Sequence, residues 1–192
     1  MSDRLYSFVF KGLLAEEALD KAGRKNKTHF SAEEEKQISS TLSIDELDDD
    51  LVLRSKKMAI VYTAISAFEN SVRAFVEKKL LEVIGENWWT IAVDESIRKK
   101  AEGRMEEEKK VRWHTPRGDA LINYTEMKHL TDTIRKNWKH FEPHLNTFEW
   151  AANILETVER SRNVIMHSGE LGNSDIERIG THIRDWIRQV GT

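Results

Sequence analysis

The stretch TFEWAANILETVERSRNVIMH, Thr147 to His167, decides how the fold is read. At about 100° per residue, Trp150, Ile154, Leu155, Val158, Ile165 and Met166 gather in one arc, which a helix of a water-soluble protein must bury. Glu156, Arg160, Asn163 and His167, spaced four, three and four apart, form a polar stripe on the other side. Arg162 falls inside the apolar arc. A guanidinium cannot shed its proton, so Arg162 must find acceptors or a water-lined cleft, which makes it a stronger site candidate than Arg160. The plainer reading is that Arg162 ties down a carboxylate such as Glu69 or Glu159, and that His167 serves as a dipole partner at the helix C-terminus.

Outward from this helix the chain reads as all-α. Its 192 residues suit one main core, and 9 Gly and 2 Pro favour helices over a turn-rich β fold. Leu51 to Ile84 predicts a central helix with Ile60, Ala64, Ala67, Phe68, Val72, Phe75 and Leu80 facing the core, ending at Gly85. Asp94 to Lys110 lacks an apolar face and predicts a solvent-exposed or mobile arm. A helix is expected from about Ala120 to Asn137. The motif helix stops at Ser168-Gly169, and a capping box at Ser174 to Glu177 opens a last helix running to about Val190. Upstream, Arg4 to Lys21 reads as a short amphipathic helix, with further capping boxes at Ser31 to Glu34 and Ser43 to Glu46. Residues 1–50 are thus a helical extension of unknown role, and 51–192 the main domain.

Composition narrows the chemistry. A formal charge of -3 excludes coating nucleic acid by bulk attraction, so RNA contact needs a local patch. With no Cys, thiolate metal sites and a Cys nucleophile are excluded. His140 and His144 have ligand-like spacing, but Pro143 between them argues for a helix end, and no metal is expected. His29, His114 and His129 have no ligating cluster around them in sequence; Trp88 and Trp89 read as packing residues. No Gly-rich phosphate loop occurs, so no nucleotide cofactor is implied. Lys11, Glu16 and Glu17 break the apolar Ser7 to Phe10 run before a leader or membrane span forms, which predicts a soluble, cytoplasmic protein with no membrane partner.

The run Glu159-Arg160-Ser161-Arg162-Asn163-Val164-Ile165-Met166-His167 resembles the R-x4-6-H motif of the HEPN superfamily, in the form with Asn after the Arg. Phe68 to Phe75, Leu121 to Tyr124, Asn137-Trp138 and Asp185-Trp186 stand around it in an order similar to the Swt-type HEPN subfamily, covering about residues 51 to 190. The resemblance implies a HEPN-type helical bundle, usually a homodimer, whose paired motifs cut RNA without metal. Ideal helix geometry separates Arg162 and His167 by about 140°, so a second copy would help them converge.

In that picture His167 is general acid or base for attack of the ribose 2′-hydroxyl on the adjacent phosphate, since imidazole titrates near neutrality. Arg162 stabilises the charged phosphoryl group and Asn163 orients His167 or donates to phosphate. Glu69, Arg73 and Glu159 are supporting candidates, although Glu69 and Arg73 also read as an ordinary i,i+4 ion pair. Arg160, Arg184 and Arg188 are candidate RNA contacts, with Arg178 and His182 nearby. The superfamily's use in toxins and phage defence suggests an effector role, with an antitoxin or regulatory protein as partner. The alternatives are a catalytically silent HEPN module that binds RNA or protein and dimerises, and a purely structural helical scaffold.

Overall fold

The computed structural model describes residues 31–191, so the helix expected over Arg4 to Lys21 lies outside the described residues. The described residues divide into two compact units, one ending at Val52 and one beginning at Leu53. In the first, α1 (Ala32–Thr41) opens on the expected capping box: Glu34 N–H donates to Ser31 Oγ at 3.1 Å and Ser31 N–H to Glu34 Oε2 at 2.8 Å. The second box does not form. Ser43 is left-handed with φ 49, its side chain caps nothing, and only a 3-10 turn, Ile44–Glu46, follows.

The remaining elements are α2 (Asp49–Ile84), α3 (Trp88–Ala92), α4 (Glu95–Lys110), a 3-10 turn (Leu121–Tyr124), α5 (Met127–Lys136), α6 (Trp138–Phe141), α7 (Phe148–Met166) and α8 (Asn173–Val190), with no strand among the described residues. The all-α expectation therefore holds. Helix α2 buries Met58, Val61, Ile65, Phe68, Glu69, Val72, Val76 and Leu80. This corrects the phase of its first half, where Ile60, Ala64 and Ala67 point to solvent. Residues 58–68 are apolar on more than one face, so period alone did not choose between two stripes.

Helix α5 packs on α7 and α7 on α8. Trp186 of α8 stacks on Trp150 of α7 (6.0 Å, 5°) and meets Phe68 and Phe75 of α2 edge-on, at 5.7 and 6.0 Å. Buried rings of this kind supply roughly 1.5–3 kcal/mol each and hold α7 against α2. Trp88 is buried and Trp89 half-buried against the core, as packing residues.

Two expectations for the middle of the chain are corrected. The helix expected from Ala120 to Asn137 is broken at Thr125 and Glu126, both extended: the carbonyls of Tyr124 and Thr125 accept from Arg104 and Arg73 instead of a following turn, and Glu126 caps the new helix with His129. Helix α4 is not a free arm: Ile97 and Ala101 are buried, and Arg104 donates to Tyr124 O at 2.9 Å and pairs with Glu126. Its packing stripe is largely ionic, which a search for apolar periodicity misses.

Candidate functional site

Helix α7 is fixed at both ends. At the start Trp150 N–H donates to the Thr147 hydroxyl at 3.0 Å. At the end Gly169 N–H bonds Val164 O at 2.8 Å and Ser168 N–H bonds Ile165 O at 3.0 Å, the paired contacts of a Schellman stop. The left-handed residue is Ser168 (φ 60) rather than the glycine. Gly169 is required for room instead, since a Cβ there would fall 2.7 Å from Val164 Cγ1 and 2.9 Å from Val164 O. His167 is the C-cap, its N–H bonding Asn163 O and Val164 O. The imidazole is exposed and, among the described residues, makes no hydrogen bond.

Arg162 approaches Glu69, as the plainer reading of the sequence anticipates, but not as a well-made pair. Its Nε lies 3.4 Å from Glu69 Oε2 and has no hydrogen-bond partner. The two observations agree if the approach is a Coulombic contact in poor hydrogen-bonding geometry. The Arg162 side chain keeps 34% of its surface in solvent against 10% for Glu69. Arg73 is the firmer partner: it bonds Glu69 Oε1, and the same Nη2 donates to Thr125 O at 3.0 Å, anchoring the α2 carboxylate to the start of α5.

Around this pair opens a cleft of about 450 Å³ lined by Arg73, Arg104, Arg117 and Arg162, with Glu69, Glu126 and Glu159 interspersed. Burial pushes the Glu159 carboxyl up, reinforced by the charges of Glu126 and Glu69 and only partly opposed by Lys128 N–H and Arg162. Desolvation also works against the ionised Glu126, but the hydrogen bond and charge of Arg104 outweigh it and hold that carboxyl low. The four guanidiniums face Glu69, Glu126 and Glu159, and Arg117 is also paired with Glu108 at 2.6 Å, so the cleft is densely charged with both signs and carries four N–H forks on its walls.

A second cleft, of about 500 Å³, is lined by Glu156, Glu159, Arg160, Asn163, Val164 and His167. Asn163 and His167 therefore share one cleft and Arg162 another, with Glu159 lining both. One chain does not bring Arg162 and His167 onto a common wall, in keeping with their angular separation on the helix. Arg160 also lines a third cleft with Arg178 and Asp175, between α7 and α8. Arg184 and Arg188 are exposed and line none of these three clefts; Arg184 bonds Thr181 Oγ1 at 3.1 Å. Sequence reasoning missed Arg104 and Arg117. They arrive from α4 and the following loop, and no spacing relative to Arg162 announced them.

No helix among the described residues is long and apolar enough to cross a membrane, and no group of three His, Asp or Glu residues there is arranged to hold a metal ion. No curated protein and no solved structure matches the chain. At the level of families, residues 63–191 match the Swt1-like HEPN family, a span that contains α5, α7, α8 and all three clefts. The chain belongs to the Swt1-like HEPN family.

Proposed function

We propose that the protein is a metal-independent endoribonuclease whose site is completed by a second copy of the chain, Arg162 of one copy facing His167 of the other. Membership of the family suggests an RNA-related function, and the observation that carries the finer reading is the state of the two motif side chains. Arg162 is held by Glu69 at 3.4 Å without a hydrogen bond, on a cleft lined by four arginines, while the exposed imidazole of His167 is unencumbered among the described residues. A purely structural arginine would bond its carboxylate directly, as Arg73 does.

In this mechanism His167 takes the proton of the ribose 2′-hydroxyl as O2′ attacks the adjacent phosphorus. The O2′–P bond forms, the P–O5′ bond breaks, and the departing 5′ oxygen acquires a proton from solvent. Arg162 holds the non-bridging oxygens with its N–H fork as charge builds, and Asn163 orients His167 or donates to phosphate. The products are a 2′,3′-cyclic phosphate and a 5′-hydroxyl. Arg160, on the His167 cleft, is the best placed of the arginines expected to contact RNA. Residues 51–192 form the catalytic domain in this reading, and a toxin-like or defence effector with its own regulatory partner suits such an enzyme.

The test is incubation of wild type, Arg162→Ala and His167→Ala with mixed cellular RNA in EDTA, with 3′ ends and oligomeric state determined. Cyclic-phosphate fragments from wild type alone, all three proteins being folded dimers, support the reading. The second reading, a catalytically silent module that binds RNA or protein, draws on the contact of Arg162 with Glu69; it gains if wild type binds RNA and cuts none.

A further inference from the structure

Of the six tryptophans, five are buried or half-buried, whereas Trp113 leaves 85% of its surface in water. Its loop is held at both sides rather than slack. His114 N–H bonds Val111 O at 3.1 Å, Arg117 N–H donates to Glu108 Oε2 at 3.0 Å, and Arg117 Nε pairs with Glu108 Oε1 at 2.6 Å. Tyr124 donates its hydroxyl to Gly118 O at 3.1 Å, and Gly118, at φ +153, sits so tightly that a Cβ would fall 2.2 Å from Asn123 Nδ2. The indole is thus presented on a fixed loop.

His114 meets the indole edge-on at 5.6 Å; in the chain Arg112 precedes Trp113 and Arg117 follows four residues on, lining the cleft of Arg162 with its guanidinium paired to Glu108 and 5.9 Å over the Tyr124 ring. Four residues of chain span at most about 14 Å, which bounds the backbone distance from Trp113 to the cleft-lining Arg117. An exposed aromatic face flanked in the chain by two arginines suits single-stranded nucleic acid, which offers bases to stack and phosphates to neutralise. Residues 112–117 are otherwise polar apart from Pro116, and all are exposed.

We propose that Trp113 is a base-stacking platform for single-stranded RNA, with Arg117 taking a neighbouring phosphate and leading the strand toward Arg162. The proposal rests on the RNA-cleaving reading for the direction of the strand. It is tested with the full chain carrying His167→Ala, so that bound RNA stays intact, by anisotropy of a labelled mixed-sequence single strand and of the matching duplex. Adding Trp113→Ala should weaken single-strand binding roughly 5- to 150-fold and leave the duplex and the salt dependence unchanged. Trp113→Phe should retain most of the affinity, and Arg117→Ala should lower the salt slope by about 1. If the parent binds RNA and Trp113→Ala binds the single strand equally well, the platform is refuted while the nuclease stands, and the loop becomes a protein contact. Equal weakening toward both RNAs also refutes stacking, and a parent that binds no RNA overturns both readings.

Discussion

Replacing Glu69 by glutamine leaves Arg73 and Arg162 facing one another without the carboxylate that separates them. At an effective dielectric of about 20, unit charges 3.4 Å apart attract by about 5 kcal/mol before desolvation is counted. Arg162 is one-third exposed and unbonded, so screening reduces its net share to about 1 kcal/mol. Arg73 is only 14% exposed and hydrogen-bonded to the carboxylate, a charge-assisted contact worth roughly 1.5–3 kcal/mol. Glu69→Gln should therefore cost about 2–4 kcal/mol, lowering Tm by about 5–15 °C for a domain of this size. Arg73→Ala should cost nearly as much, because it also releases Thr125 O, whereas Arg162→Ala should cost only about 1 kcal/mol. Thermal and urea unfolding of the three variants, with double-mutant cycles, measure these values. An Arg162→Ala loss equal to or above that of Arg73→Ala would refute the reasoning and make Arg162 a structural residue.

Three further outcomes follow from local geometry. Ser168→Gly should stabilise the fold by about 0.5–1 kcal/mol by relieving a left-handed serine, while Gly169→Ala should cost about 1–3 kcal/mol through its clash with Val164; urea midpoints read both. Burial holds the His129 imidazole below its ordinary value, with Arg104 and Lys100 adding to the effect and Glu126 and Asp132 opposing it, and its Nδ1 accepts Glu126 N–H at 3.1 Å. The stability this neutral ring contributes is complete above about pH 6.5 and falls as pH drops through the unfolded value toward the folded one; a His129→Gln variant with the same acid-side Tm loss as wild type would contradict it. Glu159 has the opposite sign. Its raised carboxyl favours the folded state only while protonated, so Glu159→Gln should gain Tm over wild type near neutral pH, and the gain should vanish below the ordinary carboxylate range; a pH-independent difference would contradict the assignment.

The site helix was legible because its signals are local: one apolar arc, of which Met166 alone turns out exposed because it lies at the open end of the helix, and a stop after His167. Even there the roles of Ser168 and Gly169 were not separable, since residue type alone does not say which position is left-handed and which is crowded. The capping pattern at Ser174 failed for a related reason. Gly172 already provides the extended entry to α8, so Ser174 lies inside the first turn. Helix α2 carried two apolar stripes, and the choice between them rests on partners elsewhere in the chain, Trp186 among them. The cleft beside Arg162 was the least legible part: Arg104 and Arg117 reach it from 58 and 45 residues upstream of Arg162, through ion pairs and carbonyl bonds that leave no periodic trace.

The central claim, that Arg162 and His167 act together across two copies, is tested most directly by mixing inactive partners. Arg162→Ala and His167→Ala chains, differently tagged, are refolded separately and as an equal mixture, then assayed for RNA cleavage in EDTA. Each variant alone should be silent. In the mixture half the dimers pair unlike chains, each with one intact composite site of two, so roughly a quarter of wild-type activity should return. A mixture containing the mixed dimer that stays silent beside an active wild type would contradict the composite site.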